Sequence, residues 1–385
     1  MEYLDLDVKD LESARAFWTA KEIQQQPECW RKTSAIVNEC RQASQAFLAP
    51  LLAKKDLRIV MTGAGTSAFA GRALAPALTK VLSRRVEAVA STDIVSNPYQ
   101  YFAEDIPTLV VSFARSGNSP ESVAAVDLAN QVLSDCYHLV VTCNGEGELY
   151  RRSCNDAKTF AILMPEETND KSFAMTSSFS SMMLATFAVL CGENDYTKEI
   201  ESLCKHSEAL IKEINHPISK IASNNAKRVV YLGSGCLQGL AQEAALKLLE
   251  LTAGKVVAMF DSPLGFRHGP KSIVDDETLV FVFISSHPYT RQYDLDLLSE
   301  LRRDKIANQV IAVTSILDEV VTDGEYITIE GMEEASDIEL LFPYIIIAQL
   351  YAFHYSLALG NTPDNPCPTG EVNRVVQGVT IHELF

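Results

Sequence analysis

The chain has 385 residues, 47% hydrophobic and 22% charged, which suits two soluble domains of ordinary size, each with its own core. A net charge of −17 argues against nucleic acid or an anionic membrane as a general partner, yet leaves room for one small phosphorylated ligand held by local donors. Nine cysteines without a C-x-x-C pair, and seven histidines that do not cluster with them, argue against a metal centre or a disulfide framework. A reducing, cytoplasmic setting is therefore expected. The opening MEYLDLDVKD carries no basic and apolar signal-peptide pattern.

Residues 1–55 read as amphipathic helix, with Thr19 as a cap at capping-box spacing from Glu22 and with Trp18 and Trp30 on apolar faces. Residues 1–50 are expected to form a helical extension. Leu57–Thr62 then reads as a strand running into Gly63-Ala64-Gly65 and a helix opening on Thr66 and Ser67. Further strands are expected at Val86–Ser91, Thr108–Phe113, His138–Thr142 and Ala157–Leu163, with helices between them. Alternating strand and helix predicts a mostly parallel sheet covered on both faces.

After the strand at 108–113 comes Arg115-Ser116-Gly117-Asn118-Ser119, then Pro120 at a first helical position. Strand, tight polar loop and helix start together gather N–H groups and hydroxyls at the positive end of a helix dipole, a place suited to phosphate. By itself the stretch fits an ordinary serine-capped loop equally well. Residues 165–180 add another hydroxyl-rich helix start, including Thr176, able to donate to sugar hydroxyls or simply to cap a buried helix.

The pattern repeats. Lys227–Gly235 restates the first strand and turn, with 233 − 63 = 170, and Thr278–Phe283 restates Thr108–Phe113, with 278 − 108 = 170. Val310–Thr314 restates the strand ending at Thr142, with 314 − 142 = 172. Three strands in one order at a nearly constant offset predict two copies of one α/β domain. The copies differ at the polar loop: the second has Ser285-Ser286-His287-Pro288-Tyr289, without the glycine that lets a backbone approach a ligand closely. One competent anion loop on a duplicated scaffold suggests a site in copy one, completed by parts of copy two.

Both Gly-x-Gly turns lack the third glycine of a dinucleotide fingerprint, since Ala68 and Gln238 stand there. Asp93 also lies later than a ribose-binding acid would. No organic cofactor is expected.

In the second copy, Glu243, Lys247 and Glu250 fall at i, i+4 and i+7 on a helix whose other positions are nearly all apolar. A solvated Glu–Lys–Glu ladder is the ordinary reading of that spacing. The apolar flanks favour a buried face instead, where pKa values shift. His268 follows in Gly265-Phe266-Arg267-His268-Gly269-Pro270-Lys271, a rigid polar loop that makes it the best general acid–base candidate among the histidines. The apolar run Leu340–Leu359 contains Gln349 and His354 and is interrupted by Pro343, so it reads as a buried or subunit-interface helix rather than a membrane span.

These motifs together resemble the sugar isomerase (SIS) family, with two SIS domains in tandem. The signature stretches are Gly65-Thr66-Ser67, Ser116-Gly117-Asn118-Ser119, Ala245-Leu246-Lys247-Leu248-Leu249-Glu250 and His268-Gly269-Pro270. The resemblance implies two flavodoxin-like three-layer α/β/α domains with five-stranded sheets, over residues 51–205 and 206–385, the latter including a C-terminal tail. It implies an aldose–ketose isomerase that also deaminates galactosamine 6-phosphate, without a metal or cofactor. Carried over by position, Ser67, Ser116, Ser119 and Ser122 would hold the phosphate, with Arg115 beside them and Thr66, Gly117, Asn118 and Thr176 lining the same region. Glu250 would move the C1–C2 proton, Lys247 would stabilise the developing oxyanion, and His268 would open the ring.

The layout also resembles the isomerase half of glucosamine-6-phosphate synthase, but Gln377 stands where that enzyme has a tail lysine, which puts a Schiff-base step in doubt. The family further implies a homodimer or homotetramer. Two alternatives remain at this stage: an isomerase that releases no ammonia, and a sugar-phosphate-sensing module.

Overall fold

The structure, a computed structural model, describes residues 2–192, 194–370, 372–376 and 378–384. The chain divides into two compact units. One comprises residues 28–170, 175–201 and 369–385; the other comprises residues 1–27, 171–174 and 202–368.

The first-repeat unit is built on five parallel strands: β1 (Arg58–Thr62), β2 (Val86–Ala88), β3 (Thr108–Ala114), β4 (Cys136–Thr142) and β5 (Thr159–Leu163), in the order β2-β1-β3-β4-β5. Every residue of β3 is buried, which is why it reads as an unbroken apolar run: a central parallel strand packs on both faces. Helices α1 (Thr66–Val81), α2 (Pro120–Val132) and α3 (Ser177–Leu190) belong to this unit.

The second-repeat unit carries β6 (Arg228–Gly233), β7 (Val257–Asp261), β8 (Thr278–Phe283), β9 (Gln309–Thr314) and β10 (Tyr326–Thr328), again all parallel. Their order, β10-β9-β8-β6-β7, is the same topology. Its helices include α4 (Cys236–Leu251), α5 (Pro288–Asp304) and α6 (Asp337–Ala358). The duplication extends to register: Thr108 pairs with Arg58 on the central strands, and Thr278 pairs with Arg228 at the same 170-residue offset.

Three local expectations are corrected. The strand at 86 ends at Ala88, because a helix already runs over Ser91–Ser96, with Ser91 N–H donating to the Gly63 carbonyl. Thr19 is not a cap but an interior residue of the helix Phe17–Gln24, since the Asp364 carboxylate accepts from both its N–H (2.8 Å) and its hydroxyl (2.7 Å). Glu22 instead turns to the Lys171 and Ser172 N–H groups.

Pro343 does not interrupt the apolar run, because it sits inside α6, whose N-terminus is fixed by a Ser336–Glu339 capping box. By length and composition α6 could cross a membrane, but 89% of its apolar window is buried in the fold. Two of its polar side chains find partners there: Gln349 Oε1 accepts from Gln26 at 2.7 Å, and His354 lies 2.7 Å from Asn215.

Candidate active site

In a sheet ordered β2-β1-β3, the loops leaving β1 and β3 diverge to opposite sides, and the crevice between them is where open α/β sheets take their ligands. The candidate residues of the first repeat lie on those two loops. After β1, Gly63 must be glycine, because a Cβ there would lie 2.6 Å from the Ser67 Cβ, and Gly65 adopts φ +56° as the cap of α1. The turn therefore delivers Thr66 and Ser67, both buried, at the first helical positions.

After β3, Gly117 adopts φ +67°, and an added Cβ would meet Gly147 Cα at 3.2 Å. The loop is held from outside its own span. Asn144 Nδ2 donates to the Ser116 carbonyl (2.8 Å), Leu149 N–H donates to the Gly117 carbonyl (3.1 Å), and Glu148 N–H donates to Asn118 Oδ1 (2.9 Å). Asn118 is thus a fastener of the loop. Ser119 caps α2 by backbone position with no side-chain capping bond, and Ser122 is buried on the first turn of the same helix. This is the geometry of an anion cradle: a pinned backbone and several hydroxyls at a helix N-terminus.

Two elements join the cradle within this unit that the sequence reading did not assign. The Asp170 carboxylate, fully buried, accepts from the N–H groups of Thr176 (2.8 Å) and Ser178 (2.9 Å) and from the hydroxyls of Ser177 and Ser178. It neutralises the start of α3 and leaves the buried Thr176 hydroxyl without a hydrogen-bond partner. The tail returns to the same place. Arg115 Nη2 donates to the Arg374 carbonyl at 2.8 Å, while Arg374 Nε donates to the Asp170 carbonyl at 2.9 Å and its Nη2 to Asn169 Oδ1 at 3.1 Å. Their only local signal was an aspartate shortly before a Thr-Ser-Ser helix start; Arg374 had none. Gln377 lies outside the described residues.

The acid–base candidates belong to the second-repeat unit. On α4, Lys247 is completely buried and pairs with the equally buried Glu243 at 3.3 Å and with Glu250. Burial opposes its charge, but the Glu243 and Glu250 carboxylates outweigh that cost and raise the lysine above its ordinary pKa. The Glu250 side chain keeps 22% of its surface exposed, so it alone of the three reaches solvent. A solvated ladder is excluded.

His268 is exposed and stands between the short helix Pro263–Phe266 and a 3₁₀ turn, with Gly269 at φ +121°. Its flanking cations are occupied: Arg267 bonds Glu300 at 2.9 Å, and Lys271 pairs with Glu300 and Asp304. They fix the loop onto α5 and leave the imidazole as its projecting group. The structure thus brings Glu243, Lys247 and Glu250 together on one unit and the serine cradle, Arg115 and Thr176 together on the other. Among the described residues, no group of three or more His, Cys, Asp or Glu is placed to hold a metal ion.

A model of the SIS domain matches residues 51–191 and again residues 224–358. The chain is 50% identical over 371 residues to the D-galactosamine-6-phosphate deaminase AgaS of Escherichia coli, covering 96% of this chain and 97% of that protein. It is 47% identical to the deaminase of the same name from Shewanella sp. (strain ANA-3), over 98% and 95% of the two chains. The crystal structure of tagatose-6-phosphate ketose/aldose isomerase from Escherichia coli superposes with a TM-score of 0.89 at 48% identity, over 95% of this chain and 96% of that one.

Proposed function

Because the chain belongs to the SIS domain family, with one copy of the domain in each half, we propose that it converts D-galactosamine 6-phosphate and water to tagatose 6-phosphate and ammonium. The observation that carries this is the 50% identity to a deaminase of that specificity, sustained over 96% of the chain. The proposed chemistry needs four parts, and this chain has residues of the right character for each.

Ser67, Ser116, Ser119 and Ser122, with Arg115, hold the 6-phosphate through hydroxyls, N–H groups and one cation. His268 moves a proton between the ring oxygen and the C1 hydroxyl, opening the sugar to its aldehyde. Glu250 takes the C2 proton, and the buried charge of Lys247 stabilises the negative charge that develops on the C1 oxygen. Returning the proton to C1 gives a ketimine at C2. Water adds to that carbon, the C–N bond breaks, and the ketose and ammonia leave. The lysine that Gln377 replaces has no part in this sequence of steps.

A plain aldose–ketose isomerase is the competing reading, favoured by the 48% identity to the tagatose-6-phosphate ketose/aldose isomerase of Escherichia coli. A coupled ammonium assay on galactosamine 6-phosphate decides between them: deamination releases one ammonium per ketose formed. Isomerisation of tagatose 6-phosphate with no ammonium from the amino sugar would overturn the proposal. We further propose a homodimer or homotetramer working in the cytoplasm, in keeping with the family.

A further inference from the structure

The second repeat has its own pair of loops at its own switch point, and their donors are already engaged. Ser285 and Ser286 stand 170 residues after Arg115 and Ser116, and Ser234 stands 170 after Ala64. Ser286 N–H donates to Asp337 Oδ1 at 2.7 Å and its hydroxyl to the same oxygen at 3.1 Å; the Ser285 hydroxyl donates to Asp337 Oδ2 at 2.6 Å. Ser285 N–H donates to Asp294 Oδ2 at 2.9 Å, and the Ser234 hydroxyl donates to Asp294 Oδ1 at 2.6 Å. Five donors, from both loops, converge on two carboxylates carried by α5 and α6.

We infer that the second repeat is a self-liganded anion cradle: the carboxylates of Asp337 and Asp294 take the place that the first repeat keeps for a phosphate. Each chain then has one sugar-phosphate site, although it has two copies of the scaffold. The carboxylate oxygens supply the acceptors that a phosphate would supply, at charge-assisted distances. The rest of the second loop fits this state. His287, at the position of Gly117, has φ −71°, so the left-handed turn that opens the first loop is absent. Ser285 and Asp294 are fully buried, which leaves an outside anion no approach. Burial, with a smaller contribution from the Asp337 charge, raises Asp294 to about 6, while its hydrogen bonds from Ser234 and Ser285 favour the charged form.

The comparison rests on reading the first loop as the phosphate site, so the test disables that loop first. Thermal unfolding is followed in S116A/S119A and in S116A/S119A/D337A, with inorganic phosphate, formate, or chloride at matched ionic strength. The parent should ignore phosphate and formate. The D337A chain should unfold at lower temperature and regain at least half of that loss with formate or phosphate, but not with chloride. Equal responses to all three anions, or a parent that responds as strongly, would overturn the inference. Should D337A not fold in chloride, refolding yield in formate against chloride gives the same readout, and equal yields would again overturn it. The first-loop reading is checked separately, since the unmodified chain must be stabilised by phosphate where S116A/S119A is not.

Discussion

Lys247 Nζ lies 3.3 Å from Glu243 Oε1, and neither side chain reaches solvent. A buried ammonium persists only where carboxylates hold its proton, and Glu243 supplies one of the two that do so here. Its role is to position and charge Lys247. Replacing Glu243 with glutamine should destabilise the fold by about 3 kcal/mol, as breaking a buried ion pair does. Loss of one carboxylate also lowers the raised lysine pKa, so the alkaline limb of the kcat profile should move to lower pH while KM changes little. An unchanged pH profile in a folded E243Q enzyme would assign Glu243 to packing alone.

Glu250 is the one member of the trio with an exposed edge, and the proposed C2 proton transfer belongs to it. E250Q keeps size and polarity but not basicity. Its kcat should fall by about 10²–10⁴-fold, the usual worth of a positioned general base, with substrate still bound. Steady-state kinetics with calorimetric binding of galactosamine 6-phosphate checks both halves; turnover near the native rate would remove Glu250 from the role.

The loop at residues 115–119 turns on one left-handed residue. G117A places a side chain at φ +67° and 3.2 Å from the Gly147 backbone. It should cost about 1–3 kcal/mol of stability and raise KM for the sugar phosphate. His287, its exposed counterpart at φ −71°, makes the control: H287A should shift stability by no more than about 0.5 kcal/mol.

Arg374 presents its carbonyl to Arg115 and clasps Asn169 and the Asp170 carbonyl. R374A should therefore weaken phosphate binding by about tenfold, the worth of one charge-assisted hydrogen bond, with kcat affected less than KM. Equal affinity for inorganic phosphate in R374A and the native chain would show that the tail contributes nothing to the cradle.

Two buried histidines contribute to the loss of stability in acid. Burial lowers His138 from 6.5 to about 4, and the ring lies fully enclosed against Asn130 Oδ1 at 2.9 Å. A depressed folded pKa gives stability that is present above 6.5 and lost as pH falls through 4, a contribution of about 3 kcal/mol. His354 behaves alike. Denaturation midpoints from pH 7 to 4 should fall less steeply in H138Q than in the native chain.

Much of the fold is legible in the order of residues alone. β3 is legible because a strand buried on both faces has to be an apolar run. The duplication is legible because register survives as a constant offset between equivalent strands. The burial of Lys247 follows from the apolar flanks of its helix. These are local properties, carried by a few consecutive residues.

Where distant polar groups go is settled by the folded chain. Thr19 has the spacing of a cap, yet Asp364 claims it across 345 residues. Arg374 and Asp294 carry no distinguishing local pattern, and their work appears only when the fold brings buried donors and acceptors to them. The physical reason is common to all: a buried N–H or hydroxyl must find a partner, and the chain can supply it from any distance. Sequence names the donors; the fold chooses the acceptors.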